Sequence, residues 1–343
     1  MTPKISQMRR EVQEIPEAVD RLLTLGAGEI KAAAAAIRDL DPAFAVTVAR
    51  GSSDHACTYL KYAAELLTGV PVASVGPSIA SIYHAPLKLG GALCIAVSQS
   101  GQSPDIVEMA RAARQGGALS IAITNNPESP LAQAASHTLC MHAGPELSVA
   151  ATKTFVTSAV AGLLLLAEWR DDADLRRAIY NLPSALAAAV AMDWPEVRAA
   201  ISGQSSLYTL GRGPVWAISN EAALKFKETC QIHAESYSSA EVLHGPVSIV
   251  AEGFPVLAFA SADAAETALV EVADQIAAKG ARVFVTSNRA TRATPIAHVR
   301  TDHPLTDPIS LITSFYAMVE QVATSRGINP DMPRHLRKVT ETV

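Results

Sequence analysis

An α/β fold built on two parallel sheets is predicted by three features of the sequence. Short apolar segments end in small polar residues, and a helical pattern follows each of them along the whole chain. This alternation is typical of parallel sheets. The 343 residues also allow two domains, at about 150 residues each. The predicted strands are Ala43–Ala49, Ala92–Val97, Leu119–Thr124, His137–Met141, Leu207–Leu210, Pro255–Phe259, Arg282–Thr286 and Ile296–Val299.

The residues that follow three strands of the first half recur in the second half, 162 or 163 positions later. The matched residues are Arg50 with Arg212, Ser98 with Ser261, and Thr124-Asn125 with Ser287-Asn288. The alternative explanation is that small polar residues follow strands in any α/β domain. Three matches at one spacing favour an internal duplication, with the join between Asn181 and Gly203.

Composition limits the possible functions. With 49% hydrophobic residues, 18% charged residues and a net charge of -5, the chain can bury a large core and has no basic excess for nucleic acid. The four cysteines form no C-x-x-C pair, and the histidines match no metal-binding spacing. We therefore predict a protein of a reducing compartment that binds no metal, no cofactor and no nucleic acid.

Neither a secretory signal nor a membrane span is predicted. The N-terminal residues carry charges where a signal peptide needs an apolar core. The most apolar run, Phe155–Ala167, has 13 residues, fewer than the ~20 that cross a bilayer, so we expect it to form a buried helix. These observations predict a cytoplasmic protein without a membrane partner.

The segment Ser98–Pro104 is the strongest candidate for a ligand site, and it reads Ser-Gln-Ser-Gly-Gln-Ser-Pro. It follows a predicted strand and opens a predicted helix, and Pro104 suits a first helical turn. Hydroxyls and free backbone N–H groups at such a place bind phosphate without a lysine. The alternative is a serine-rich helix cap. The loops Gly51–Asp54 and Thr124–Pro127 add hydroxyls and amides, which suit a polyhydroxylated ligand.

Glu221, Lys225 and Glu228 form a second candidate group. At 100° per residue they lie within about 60° of one another on one helix face. One interpretation is a surface ion-pair ladder, worth only ~0.5 kcal/mol. The other is a functional cluster that faces the interior, because an uncharged stretch, 229–234, follows Glu228. Spacing alone does not separate the two.

His244 precedes Gly245-Pro246 and suits proton transfer from a rigid loop near neutral pH. By composition alone, the basic tail that starts at Pro333 is a solvated end.

As a set, the motifs resemble the isomerase half of glucosamine-6-phosphate synthase, which consists of two tandem sugar isomerase (SIS) domains. The resemblance runs from about residue 40 to the C-terminus, in the same order. The motifs are Ser98-Gln99-Ser100-Gly101, Val149-Ala150-Ala151-Thr152-Lys153, Leu210-Gly211-Arg212-Gly213, Ala223-Leu224-Lys225-x-Lys227-Glu228, Ile232-His233-Ala234-Glu235, His244-Gly245-Pro246 and Pro333-Arg334-x-Leu336-x-Lys338.

The resemblance implies doubly wound, flavodoxin-like domains and a role for each site residue. Glu228 would move a proton between C1 and C2 of a sugar phosphate, His244 would open the sugar ring, and Lys338 would act on the keto carbonyl. Lys225 and Glu221 would support them. The implied phosphate ligands are Ser98, Gln99, Ser100 and Ser103, with Ser53 nearby, and the implied sugar contacts are Ser52, Val149 and Ala151. A homodimer with its active site at the subunit interface is also implied.

Two departures from the family pattern bear on function. Ala151 and Arg50 stand where the synthase has a serine and a small residue. The chain also starts Met1-Thr2, about 40 residues before the first sugar domain, without the synthase's N-terminal cysteine. The resemblance to the short type II glucosamine-6-phosphate deaminases therefore implies release of ammonia from glucosamine 6-phosphate.

Other functions stay open at this stage. The substrate is alternatively galactosamine 6-phosphate or a sugar phosphate with an amino acid on its amine, and the protein is alternatively a phosphosugar sensor. A sensor has no use for Glu228, His244 and Lys338 together, which favours an enzyme. The predicted domains are an N-terminal helical segment (1–40), a first SIS domain (41–182), a linker helix (183–203), a second SIS domain (204–330) and an active-site tail (331–343).

Overall fold

The computed structural model describes residues 5–338 and contains two five-stranded parallel sheets. They belong to two compact units. Within the described residues, the first-half unit comprises 17–146, 153–180 and 337–338, and the second-half unit comprises 5–16, 147–152 and 181–336. The predicted α/β class with two parallel sheets is confirmed.

The first sheet has its strands in the order 2-1-3-4-5, and every neighbouring pair is parallel. They are β1 (Ala45–Val48), β2 (Val72–Ser74), β3 (Leu93–Val97), β4 (Leu119–Thr124) and β5 (His137–Cys140). β1 and β3 are buried throughout. Helices cover both faces of a doubly wound sheet, which explains why these strands are continuously apolar.

The second sheet repeats this order. Its strands are β6 (Ser206–Gly211), β7 (His233–Ser238), β8 (Pro255–Ala258), β9 (Arg282–Val285) and β10 (Thr294–Pro295). Along the sheet they run β7-β6-β8-β9-β10, which is again 2-1-3-4-5 counted within this half. Equal strand order supports the duplication that the matched strand ends predict.

Helices connect the strands. Those before the second sheet are α1 (Gln7–Gln13), α2 (Ile15–Leu25), α3 (Ala27–Leu40), α4 (Ser52–Thr68), α5 (Ser78–Ser81), α6 (Pro104–Gln115), α7 (Pro130–Ala134), α8 (Lys153–Arg170), α9 (Ala173–Val190) and α10 (Pro195–Ile201). The helices that follow β6 are α11 (Pro214–Cys230), α12 (Glu266–Ala277) and α13 (Asp307–Ser325), with short 3-10 helices at Glu241–His244 and Pro246–Ile249.

The apolar run Phe155–Ala167 lies in α8 and is buried, as predicted. No helix between residues 5 and 338 is long and apolar enough to cross a membrane. The predicted domain boundaries stay a prediction. Residues 183–203, expected to form one linker helix, contain the end of α9 and all of α10.

The sequence patterns missed or misplaced three edge strands. β2 has only three residues, and β7 is polar, so neither carries an apolar pattern. The prediction of a strand at Ile296–Val299 was wrong, because the edge strand there is β10, which pairs with β9 at Thr294 and Pro295. The carbonyl of Ala297 instead accepts a hydrogen bond from Trp194 Nε1 at 2.7 Å.

Candidate functional site

The serine loop, residues 98–103, connects β3 to α6 at the carboxyl end of the first sheet. Ser98 Oγ accepts a hydrogen bond from the Gly101 N–H at 3.2 Å, and Ser100 Oγ accepts one from the Gln102 N–H at 3.3 Å. The Asn125 N–H, just after β4, donates to the Gln99 carbonyl at 3.1 Å. The first two bonds shape the loop, and the third holds it against the end of β4.

Gly101 shows why this loop needs a glycine. Its φ is +64°, and a Cβ atom there would lie 2.1 Å from Ser129 Oγ and 2.9 Å from Thr124 Oγ1. A side chain at Gly101 would therefore displace both the start of α7 and the end of β4.

The helix-cap alternative for this segment is contradicted. Ser103 is the N-cap residue of α6, yet its side chain makes no capping hydrogen bond, and Pro104 occupies the first turn. Gln99, Ser100 and Ser103 are only partly buried. Their polar groups lie where a ligand at the start of α6 has access to them.

Arg50 lies beside the serine loop. β1 and β3 are paired up to Val48 opposite Ala96, and Arg50 and Ser98 follow these two residues by two positions each. Nε and Nη2 of Arg50 both lie 2.5 Å from Oδ2 of Asp105. Asp105 is fully buried, whereas half of the Arg50 side chain is exposed.

Ser52 and Ser53 are partly buried in the first turn of α4, after Gly51, whose φ is +56°. The next residue, Asp54, is also partly buried, and burial raises the pKa of its carboxyl, although His55 and Arg50 oppose this shift. The start of α4 thus presents hydroxyls and one carboxyl at the carboxyl end of β1.

Glu221, Lys225 and Glu228 meet on one face of α11. Lys225 Nζ lies 3.0 Å from Oε1 of Glu221 and 2.6 Å from Oε2 of Glu228. The side chains of Glu221 and Lys225 are 0% exposed and that of Glu228 is 21% exposed. The surface-ladder interpretation is therefore wrong, and Glu228 is the member of the cluster that has access to solvent.

The two carboxylates keep Lys225 protonated. Burial alone would lower the pKa of Lys225, but the carboxylates of Glu221 and Glu228 outweigh burial and raise that pKa above its usual value. The Tyr316 hydroxyl on α13 donates to Oε1 of Glu221 at 2.9 Å. The lysine is thus a fixed cation that orients Glu228.

The turn from β6 into α11 places this helix close to the strand. A Cβ atom on Gly211 would lie 2.6 Å from both Cα of Trp216 and the carbonyl oxygen of Val215. The glycine lets the helix start directly at the strand end.

His244 ends the 3-10 helix Glu241–His244 and is exposed. Gly245, which follows it, has a φ of +142°. Leu243 and Ile249, in the same segment, are 38% and 58% exposed. The histidine is thus presented on the surface of the second-half unit, beside exposed apolar side chains.

Val149 and Ala151 lie in the segment 147–152, which is held by two acidic residues that sequence analysis missed. The fully buried Glu11 of α1 accepts hydrogen bonds from the Leu147 N–H and from the Ser148 hydroxyl. Asp331 accepts the Gln7 and Met8 N–H groups at 2.8 and 2.7 Å, and its carbonyl accepts the Val149 N–H at 3.3 Å. Helix α1 and the chain before the tail thereby fix this segment.

Lys338 belongs to the first-half unit and forms an ion pair with Glu146, whose carboxylate Oε2 lies 2.7 Å from Nζ. Thr154, at the start of α8, donates to Glu146 through its N–H at 3.0 Å and its hydroxyl at 2.6 Å. Burial alone would raise the pKa of Glu146, but Lys338 and these hydrogen bonds hold it below its usual value. Up to Lys338, the tail is therefore not a free end.

The corresponding loop of the second-half unit is filled by the protein's own side chains. There Oδ2 of Asp307 accepts the Ala262 N–H at 2.8 Å and lies 3.0 Å from Nη1 of Arg300. Nη2 of Arg300 lies 3.1 Å from Oε1 of the buried Glu266. The first N–H after Ser261 is thus bonded to a carboxylate of the protein itself.

The structure groups the predicted site residues in two sets. The serine loop, Ser52, Ser53 and Lys338 lie in the first-half unit, and Glu221, Lys225, Glu228, His244, Val149 and Ala151 lie in the second-half unit. Across residues 5–338, no three His, Cys, Asp or Glu side chains form a group that would hold a metal ion.

Comparison with known proteins identifies the family. The SIS domain model matches residues 42–168 and 200–325. Glutamine--fructose-6-phosphate aminotransferase [isomerizing] of Symbiobacterium thermophilum is 32% identical over 96% of this chain, and that of Sulfolobus acidocaldarius is 31% identical over 85%. The chain covers 58% and 49% of those relatives, about half their length.

Solved structures agree. A protein of Silicibacter pomeroyi assigned as a phosphosugar isomerase is 67% identical, with a TM-score of 0.93 over 95% of this chain and 100% of that one. The C-terminal domain of glucosamine-fructose-6-phosphate aminotransferase from Francisella tularensis shares the fold, with a TM-score of 0.82 at 24% identity over 96% and 99% of the chains. The chain therefore belongs to the SIS domain family, and its homologues are the isomerase half of these aminotransferases.

Proposed function

We propose that the protein converts glucosamine 6-phosphate and water into fructose 6-phosphate and ammonia. The observation that carries this proposal is the cluster on α11, in which the buried Lys225 is paired with two carboxylates and only Glu228 has access to solvent. Burying such charges costs free energy, and clusters of this kind are typical of functional sites. Proton transfer on a bound sugar is the chemistry that an accessible, oriented carboxylate supplies.

The serine loop supports phosphate binding. Its polar side chains and the start of α6 offer hydrogen-bond donors at the carboxyl end of the sheet, which is where ligands of doubly wound sheets bind. In this proposal Ser98, Gln99, Ser100 and Ser103 bind the phosphate, with Ser53 nearby. Ser52, Val149 and Ala151 contact the sugar.

The reaction proceeds in four steps. His244 assists opening of the ring, which exposes an aldehyde at C1. Glu228 takes the proton from C2 and returns it to C1, while a proton of the amine moves to the C1 oxygen. The aldehyde thereby becomes a CH2OH group, and the carbon–nitrogen bond at C2 becomes an imine. Water then adds to C2, and ammonia leaves. Lys338, held by Glu146, interacts with the carbonyl oxygen or forms an imine with the keto sugar.

We extend the proposal to a cytoplasmic homodimer in which His244 serves the neighbouring subunit's sugar. The support is the exposure of His244 together with the apolar side chains of Leu243 and Ile249, since exposed apolar groups in one segment suit a protein contact.

The choice of an amino sugar has further support in the names of related proteins. A structure from Thermotoga maritima with a TM-score of 0.78 is named glucosamine-6-phosphate deaminase and is 18% identical over 98% of this chain and all of that one. This likeness shows the fold. The curated relatives are named for fructose 6-phosphate.

An ammonia-release assay over a panel of sugar phosphates tests the proposal. We expect release from glucosamine 6-phosphate and little from unphosphorylated glucosamine. Galactosamine 6-phosphate and an amino-acid-linked sugar 6-phosphate complete the panel, and calorimetry measures binding of each compound. Faster release from either of these would reassign the substrate. Binding without release from any compound would contradict the proposal and indicate a sensor.

A further inference from the structure

The serine loop contains no charged residue between Ser98 and Ser103, although a sugar phosphate carries nearly two negative charges near neutral pH. Hydroxyls and the N-terminus of α6 stabilise an anion but do not neutralise it fully. A cation beside this loop would strengthen phosphate binding, because charge-assisted hydrogen bonds are stronger than hydrogen bonds from neutral donors.

Arg50 is placed to supply that cation. It follows β1 as Ser98 follows β3, two residues beyond the paired Val48 and Ala96. These two adjacent strands are the ones from which the chain continues in opposite directions along the sheet. Ligands of doubly wound sheets bind at this switch point.

The ion pair with Asp105 fixes the orientation of the guanidinium. Asp105 is fully buried in the first turn of α6, and its Oδ1 accepts the Ile106 N–H at 2.8 Å. Only Nε and Nη2 of Arg50 contact Oδ2 of Asp105, so Nη1 lies outside the pair, and half of the side chain is exposed. A planar guanidinium held along one edge keeps its other edge for a second anion.

We propose that Arg50 is a phosphate-binding residue that determines the preference of the serine loop for a phosphorylated substrate. The inference rests on the phosphate site of the proposed function and adds a charged donor to it. Asp105 is the positioning residue that holds Arg50 beside the loop.

A structural ion pair is the competing explanation, and α6 itself offers a matched control. Arg111 pairs with Glu108 at 2.5 Å on the surface of the same helix, with 49% of its side chain exposed, against 50% for Arg50. R50Q and R111Q remove the same charge from positions of similar exposure, so R111Q controls for net charge. R50Q/D105N controls for the ion pair, because it leaves no buried carboxylate without its cation, and we expect it to bind phosphate as weakly as R50Q.

Binding of inorganic phosphate, measured by calorimetry, tests the inference without any turnover. We expect R50Q to weaken binding by about 10- to 100-fold, R50K to weaken it less, and R111Q to leave it unchanged. The double variant S98A/S100A reports whether the phosphate occupies the loop.

The outcomes separate the inference from the proposed function. Equal affinity in R50Q and wild type, with weaker binding in S98A/S100A, would overturn the role of Arg50 and leave the loop assignment intact. Weaker binding in R50Q but not in R111Q, in a protein that releases no ammonia from any sugar, would support Arg50 and reject the deaminase. Equal loss in R50Q and R111Q would reduce the effect to net charge and overturn the inference.

Discussion

The loops that follow the third strand of each sheet start from matching serines but do different things. In the first half, Ser98 begins a loop whose partly buried polar side chains meet the start of α6. In the second half, Ser261 begins a loop whose Ala262 N–H is bonded to Asp307, next to Arg300. One copy of the duplicated fold has a loop that we propose binds an anion, and in the other a carboxylate of the protein itself is bonded to the loop.

The helices that follow the first strand of each sheet, α4 and α11, also differ, and here the buried charges lie in the second half. Helices α4 and α11 start and end 162 positions apart, so Glu228 on α11 corresponds to the exposed Leu66 on α4, next to Glu65. Glu65 pairs with Lys61 at 2.6 Å in a half-exposed position, and it accepts the Val72 N–H at 3.0 Å. That pair holds the edge strand β2, whereas the pair of Lys225 and Glu228 lies mostly in the interior. Both helices carry a lysine–glutamate pair near the same turn, and this pair is partly exposed and bonded to β2 in α4 but mostly buried in α11.

The largest expected effect comes from the glutamates of these two lysine–glutamate pairs. E228Q keeps the shape of the side chain but removes the base, so kcat for ammonia release should fall by roughly 10²–10⁴-fold with little change in KM. E65Q is the matched control, and its kcat should equal that of wild type. A normal kcat in E228Q would show that the α11 cluster is structural.

A large loss of stability is expected when the charges around the loop after Ser261 are unbalanced. R300M removes the cation that faces Asp307 and Glu266, and it should lower the free energy of unfolding by about 3 kcal/mol in urea denaturation. R289M is the control, because Arg289 lies 3.4 Å from Glu266 but is 64% exposed, and its loss should cost under about 0.5 kcal/mol. Equal stability of both variants would show that the second loop is not held by Arg300.

The corresponding serines give the next contrast. S98A/S100A should raise KM for the sugar phosphate by about one to two orders of magnitude and leave the melting temperature nearly unchanged. S261A should leave KM unchanged, since its buried hydroxyl makes no hydrogen bond within residues 5–338. An unchanged KM in S98A/S100A contradicts a phosphate site in the first half.

The smallest expected effect is the loss of stability on removing the ion pair between Glu146 and Lys338, and it depends on pH. The pKa of Glu146 is lowered in the folded protein, so its ion pair stabilises the fold above the ordinary pKa of 4.5, and this contribution is lost as pH falls through the lowered value. E146Q should therefore be less stable than wild type by about 1–3 kcal/mol at pH 7, and the difference should shrink below pH 4.5. The exposed E196Q serves as control. A difference that does not change with pH would contradict an ionised Glu146.

Much of the architecture could be predicted from the sequence, because β1, β3 and their counterparts are apolar runs that end in polar turns. The edge strands β2 and β10 could not be predicted, because three and two residues are too few to show a hydrophobic pattern. The candidate site divides in the same way. Spacing put Glu221, Lys225 and Glu228 on one face, but only the three-dimensional structure shows which of them is accessible.

The supporting carboxylates had no usable signal. Asp105 looks like any acidic residue in a first helical turn, where such residues are common. Glu11 and Glu146 accept hydrogen bonds from residues that lie 137 and 8 positions further along the chain, respectively. No local sequence pattern predicts these bonds. The tail shows the same limit, because composition predicts a solvated end, whereas Lys338 is paired with a buried carboxylate.

The central claim is that the first half binds the phosphate and the second half moves the proton. Calorimetric binding of glucosamine 6-phosphate, measured beside ammonia release in the same samples, tests it most directly. The account predicts that E228Q binds the sugar phosphate with wild-type affinity and releases almost no ammonia, and that S98A/S100A binds it about 10- to 100-fold more weakly. Loss of binding in E228Q, or wild-type binding in S98A/S100A, would contradict this division between the two halves.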